Sequence, residues 1–314
     1  MTVCVAAMCN TGAVLGASDR MLTAGDIQFE PTQIKVVQLT SSIAVMVAGD
    51  SSAQAEILQE VRRDVQERVK QDPTNWWLVK DVAELYSHYY SRVRAKRAER
   101  AILNPLGLTQ NTFITQQGQM AESLVRQLAT ELINCSMAQV AVIIAGTDPQ
   151  GTHIYTVHDA TVDCYDHVGF AAIGSGRWHA NSQFMFAQHH RNKPFPETLL
   201  LTYAAKKRAE VSPGVGEGTD MFTVGPELGS YVQVYRPIVD DLEKMYQATC
   251  ERERKASLEA DEEVNKYVQN LIDAATPKEQ QVKSPDSGAD ASPDKEDHRD
   301  DARHEQARHV TEES

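Results

Sequence analysis

The sequence predicts an α+β protein in which helices stack on two antiparallel sheets. Three observations carry this. The chain opens with two hairpins and no helix between them, and the apolar period then lengthens from two residues to 3.6 over a long block. Strands return as consecutive runs before further helices. This is not the βαβ alternation of a parallel nucleotide-binding sheet.

Each element follows from local chemistry. Val3 to Met8 is apolar and β-prone, Cys9–Gly12 (CNTG) has turn character, and Ala13 to Ala17 runs back as a second strand. After a loop, Ile34–Leu39 and Ile43–Ala48 flank the polar turn TSS and form a second hairpin. From Ser51 to Gln71 a helical stripe takes over with Ile57, Leu58, Val61 and Val65, closed by Asp-Pro. A second helix is predicted over Trp77 to Ile102, a polar connector over Asn104 to Gln119, and a third helix over Met120 to Cys135. Strands are predicted at Gln139–Ala145, Thr152–His158 and Cys164–Ile173. Helices follow near Arg177–His190 and Pro196–Glu210, then closing strands at Asp220–Val224 and Tyr231–Tyr235. Asp240–Ala275 reads as a charged helix. From Pro277 onward, eleven Asp/Glu face six Lys/Arg with few large apolar residues, so burial there does not offset ordering entropy and disorder is predicted.

Composition excludes several classes. The chain has 314 residues and a formal net charge of −13, against the basic face that nucleic acid demands. The basic run Arg92–Arg100 has helical spacing and reads as a solvated face. Five scattered cysteines form no CxxC pair, so neither a disulfide framework nor a zinc site is expected, and the thiols read as reduced and mostly buried. The opening residues show no charged-then-apolar signal pattern and no apolar run approaches the ~18 residues of a membrane span, so a cytoplasmic protein with no membrane contact is expected. The glycine-rich Gly214–Gly218 lies between a helix and a strand, the wrong context for a phosphate loop. The histidines show no ligand spacing and read as strand or surface residues. Trp76 and Trp77 read as packing anchors, and no metal or cofactor is expected.

Thr2 directly follows the initiator methionine, whose removal before a small residue is routine. A terminal threonine carries a hydroxyl and, on the same residue, an α-amine that ordinarily titrates at ~7.7–8.0 and so serves as general base. Such chemistry needs a cation beside the hydroxyl, a carboxylate to hold that cation, and a donor for the oxyanion. Asp19 ends the second strand, Lys35 opens the next, and Gly49 sits where the fourth strand enters the first helix. A lysine with apolar neighbours that points inward needs Asp19 as partner.

TVCVAA, GAVLGASD, LTAG, QIKVVQL and AVMVAGDSSAQAEIL resemble, in that order, the opening of a proteasome β-type peptidase or its simpler bacterial relatives, the N-terminal nucleophile (Ntn) hydrolases. AGTDPQGTHIYTVHD and FAAIGSGRWHA resemble that family's second strand block and its Gly-Ser-Gly turn. The resemblance covers about residues 2 to 235 and implies a four-layer αββα sandwich. By residue, it implies Thr2 as nucleophile, Asp19 and Lys35 as the polarising pair, Ser175 as support for the amine, Gly49 as oxyanion donor and Val47 as lining of an apolar substrate pocket. It implies a threonine-type endopeptidase acting on peptides and proteins within a homo-oligomeric ring. Whether an ATP-dependent unfoldase feeds that ring is left open, as are a non-catalytic ring or scaffold subunit and a small-amide amidohydrolase of the same fold. Residues 1–238 then form the proteasome-like domain, 239–276 a charged helical extension and 277–314 the disordered acidic tail.

The chain departs from the family pattern in several places. The first hairpin is one residue longer, which displaces Asp19 and Lys35 by the same step. The family's arginine two places after the aspartate is Met21, with Arg20 one place early. The downstream Asp-x-x-Ser pair is not reproduced, leaving Glu210, Ser212 and Asp220 as substitutes. The helical block is longer, and the helix Asp240–Ala275 has no family counterpart.

Overall fold

The computed structural model describes residues 2–24, 27–30, 35–137 and 140–275. The predicted acidic tail lies outside the described residues. The chain divides into two compact units, Met1–Ala256 and Ser257–Ser314.

The strands are β1 (Val3–Met8), β2 (Val14–Asp19), β3 (Leu22–Ala24), β4 (Ile27–Phe29), β5 (Val36–Gln38), β6 (Ile43–Gly49), β7 (Val140–Asp148), β8 (Gly151–His158), β9 (Thr161–Cys164), β10 (Phe170–Gly174), β11 (Thr219–Val224) and β12 (Val232–Gln233). The helices are α1 (Ser51–Gln71), α2 (Val79–Ala98), α3 (Gln110–Gln116), α4 (Glu122–Asn134), α5 (Arg177–Phe186), α6 (Phe195–Ala209) and α7 (Arg236–Ala275). Within the second unit, residues 257–275 are helical and exposed throughout.

Two five-stranded sheets result, ordered β10-β1-β2-β11-β12 and β5-β6-β7-β8-β9, every pairing antiparallel. The predicted α+β class is therefore observed. Alternation of side chains across each strand gives every sheet two apolar faces. Cys4, Ala6 and Met8 of β1 join Met46 of β6 and Ile143 of β7 in one cluster shared by both sheets. The opposite face of β1, with Val3, Val5 and Ala7, packs against α5 and α6 through Phe184, Leu201 and Ala205. Val45, Val142 and Ile144 pack against Ile57 and Val61 of α1 and Tyr86 of α2. Each fully buried aliphatic or aromatic side chain contributes about 1.5–3 kcal/mol.

Four local readings needed correction. The loop before Lys35 contains the hairpin β3–β4, whose three-residue strands are too short to show an alternation. The connector 104–119 contains α3, started by a capping box between Thr109 and Thr112 and anchored by buried Phe113 beside Leu103 and Leu128. The single strand predicted over 164–173 is the end of β9, a turn, and β10. Of the five cysteines, all free, only Cys4 and Cys9 are buried; Cys164 is exposed. Trp77 packs against the α1–α2 core as expected, with the Arg68 guanidinium 4.2 Å above its ring.

No helix among the described residues is long and apolar enough to cross a membrane.

Candidate active site

Thr2, Asp19, Lys35 and Ser175 meet at one end of the first sheet. The hairpin β1–β2 pairs Cys4 with Ser18, so Asp19 lies beside the start of β1. On the other flank β10 pairs Gly174 with Val3, which brings the Gly-Ser-Gly turn to Thr2. Gly174 has φ +90°, and a side chain there would run into the Thr2 carbonyl, with the Thr2 methyl 2.9 Å away. Only glycine lets the turn approach so closely.

Asp19 is wholly buried and its carboxylate takes five donors. Oδ1 accepts from the Thr2 hydroxyl, from the Val3 N–H at 2.9 Å and from Lys35 Nζ at 2.8 Å. Oδ2 accepts from the N–H groups of Met21 at 3.0 Å and Gly216 at 3.1 Å. A buried carboxylate without such partners would cost several kcal/mol. Lys35, 7% exposed, also donates to Thr2 Oγ1. The Thr2 oxygen thus accepts from an ammonium while its own proton faces a carboxylate.

Ser175 is bound to Thr2 at two points. Its Oγ accepts from the Thr2 N–H at 3.2 Å and donates to the Thr2 carbonyl at 3.3 Å, and the Gly176 N–H reaches that carbonyl at 3.3 Å. Gly49 ends β6. The Val47 N–H donates to the Lys35 carbonyl at 3.1 Å. Gly49 itself has φ +104° and lines the cavity that Thr2 lines.

Two cavities adjoin the centre. One of about 470 Å³ is lined by Thr2, Gly49, Ser175, Thr156 and Tyr165. The other, about 840 Å³, is lined by Lys35, Val47, Leu22, Ala55 and Leu58, and further along α1 by Gln59, Arg62 and Arg63. Val47 lines this second cavity, which Thr2 does not line and whose wall carries Arg62 and Arg63 beside the apolar residues of the expected pocket.

Of the three downstream substitutes, only Ser212 bonds to a residue touching Thr2: its Oγ donates to the Ser175 carbonyl at 3.4 Å. Asp220 instead takes Arg20 through Nε at 3.0 Å and the terminal guanidinium at 2.5 Å, and Glu210 pairs with Lys206 and Lys207. Sequence reasoning missed the Gly214–Gly218 loop, which supplies the Gly216 donor to Asp19; its glycine content was the available signal. Cys4 is no rival nucleophile, because burial pushes its thiol pKa far up, outweighing the pull of Lys35.

One histidine departs from the strand-or-surface reading, whereas His153 lies on β8 as that reading allows. His189 is buried, with Nε2 3.1 Å from the Met8 carbonyl, and burial lowers its pKa. His153 Nδ1 lies 2.6 Å from Asp166. No group of three or more His, Cys, Asp and Glu that would hold a metal ion comes together among the described residues.

No protein-family model matches the sequence, and no curated protein is significantly similar to it.

Proposed function

We propose that this protein is a threonine-type peptidase of the Ntn-hydrolase kind, similar to proteasome β-type subunits, with Thr2 as nucleophile after removal of Met1. The observation that carries this reading is the convergence of the Lys35 ammonium and the Asp19 carboxylate on Thr2 Oγ1, with Ser175 bonded to the Thr2 nitrogen. Two antiparallel sheets sharing one apolar cluster, with helices packed on both outer faces, are consistent with the four-layer αββα arrangement of that fold.

Removal of Met1 turns the Thr2 amide into a free amine beside Ser175 Oγ. Thr2 Oγ1 attacks the scissile carbonyl carbon while that amine takes the hydroxyl proton. The Lys35 charge favours the developing alkoxide, and Asp19 holds Lys35 in place. The Gly49 N–H receives the oxyanion. Collapse of the tetrahedral adduct breaks the C–N bond and returns the proton to the leaving amine. Water then attacks the ester carbonyl carbon while the Thr2 amine accepts its proton. Collapse breaks the bond from the acyl carbon to Thr2 Oγ1, the free acid departs, and the ammonium returns the proton to Oγ1, restoring hydroxyl and amine. The reading includes assembly into a closed ring of identical copies, which sequesters such sites.

The test is Thr2→Ala, assayed on fluorogenic peptides, with intact mass confirming loss of Met1 from the wild-type chain. Abolished turnover with unchanged assembly supports the reading. Undiminished turnover overturns it, and a wild-type chain retaining Met1 favours a non-catalytic subunit. Cleavage of small amides but no peptide favours an amidohydrolase.

A further inference from the structure

The last turn of α6 carries Lys206, Lys207 and Arg208, cations that suit the negative end of a helix dipole. Lys207 and Arg208 keep some contact with solvent, whereas Lys206 has none. An ammonium sealed from water must direct its protons to acceptors within the protein. Lys206 Nζ donates to Glu210 Oε1 at 2.6 Å, the Gly216 carbonyl at 2.8 Å and the Glu217 carbonyl at 2.8 Å. Burial lowers its pKa, and the Glu210 bond offsets this only in part.

Both polar groups of the Gly216 peptide residue are therefore claimed. Its carbonyl is held by Lys206 and its N–H by Asp19 Oδ2 at 3.1 Å. The fit is close: a Cβ on Gly216 would meet Met21 Cβ at 2.9 Å and overlap the Glu30 carboxylate. Ser212, in the same loop, bonds to the Ser175 carbonyl. The loop that follows α6 thus backs Asp19 and Ser175, the two residues that bond to Thr2, and Lys206 ties that loop to the helix.

We infer that Lys206 is a positioning residue for the Thr2 centre: it fixes the Gly216 peptide so that its N–H caps the Asp19 carboxylate, which in turn aligns Lys35 with Thr2 Oγ1. The catalytic consequence rests on the proposed peptidase reading; the link from Lys206 to Asp19 does not.

The test uses the full chain with Met1 removed. Lys206→Met keeps the stem and deletes the donors. It should lower kcat about ten- to a hundredfold with KM within about twofold, as expected for a misplaced reacting group. Hydrogen exchange of segment 211–218 should quicken at least about tenfold, with β1 and β7 exchanging at the wild-type rate. Gly216→Ala attacks the same link from the other end, and the double variant should be no slower than the slower single one. Wild-type exchange across 211–218 in Lys206→Met overturns the inference, as do losses that multiply in the double variant. If Lys206→Met does not fold, Gly216→Ala decides alone: reduced kcat at unchanged KM supports the link and unchanged kcat overturns it. Should the wild-type chain with a free Thr2 cleave no peptide, the peptidase reading fails by itself. The exchange measurement needs no substrate and still decides whether Lys206 holds the loop.

Discussion

The Lys35 ammonium lies 2.8 Å from the Asp19 carboxylate, and their side chains are 8% and 0% exposed. Such a pair is asymmetric in energy: its net worth is small, but removing one member leaves an uncompensated buried charge. Lys35→Ala should cost about 3–5 kcal/mol by urea denaturation. The double variant Lys35→Met/Asp19→Asn should recover much of that loss while remaining inactive on peptides. A single variant as stable as wild type would show that the pair carries no buried charge.

The turn at Gly174 is constrained twice, by φ +90° and by the Thr2 carbonyl facing the missing side chain. Gly174→Ala should lower stability by about 1–3 kcal/mol and loosen the Thr2–Ser175 contact. Thermal unfolding checks the first effect. Protection of the residue 2–4 amides in hydrogen exchange checks the second, and wild-type values for both would refute the constraint.

A third expectation concerns pH. The bond to Asp166 raises the His153 pKa against an opposing burial effect. Burial works against the shift of Asp166 too, yet bonds from His153 and the Ile154 N–H hold its carboxyl below the usual range. A raised folded-state imidazole pKa adds stability that is complete below the unfolded value of about 6.5 and is lost as pH rises through the folded one. A lowered carboxyl pKa adds stability present above about 3.9 and lost as pH falls through the folded value. His153→Gln should therefore destabilise most between those limits, near pH 5 to 6, and least in alkaline buffer. Urea midpoints across that range measure it, and a difference independent of pH would rule out the ion pair.

Much of the site was legible because its parts lie close to recognisable local signals. Asp19 ends a strand whose hairpin returns it beside the start of β1, so strand length and turn chemistry alone place it near Thr2. Lys35 was expected to need Asp19 as partner, and that pair is present. Other contacts gave no local signal. Asp148 closes β7, yet its carboxylate accepts the Val79 N–H at 2.8 Å and so caps α2, whose own N-cap residue is Leu78. Nothing near Val79 announces that partner. The capping box of α3 was readable in Thr109 and Thr112, but the polar surroundings hid the buried Phe113.

By itself the sequence determined the α+β class, the hairpins β1–β2 and β5–β6, the principal helices and the candidates Thr2, Asp19 and Lys35, while Ser175 came only through the family resemblance. Period and turn preference act over a few residues, so a single strand or helix records them. Only the tertiary structure decided which distant groups complete the Asp19 carboxylate, that Ser212 rather than Glu210 or Asp220 reaches Ser175, and that Lys206 is sealed inside the fold. A buried charge must find its donors wherever the packed chain brings them, and that choice is made by proximity in space, not along the sequence.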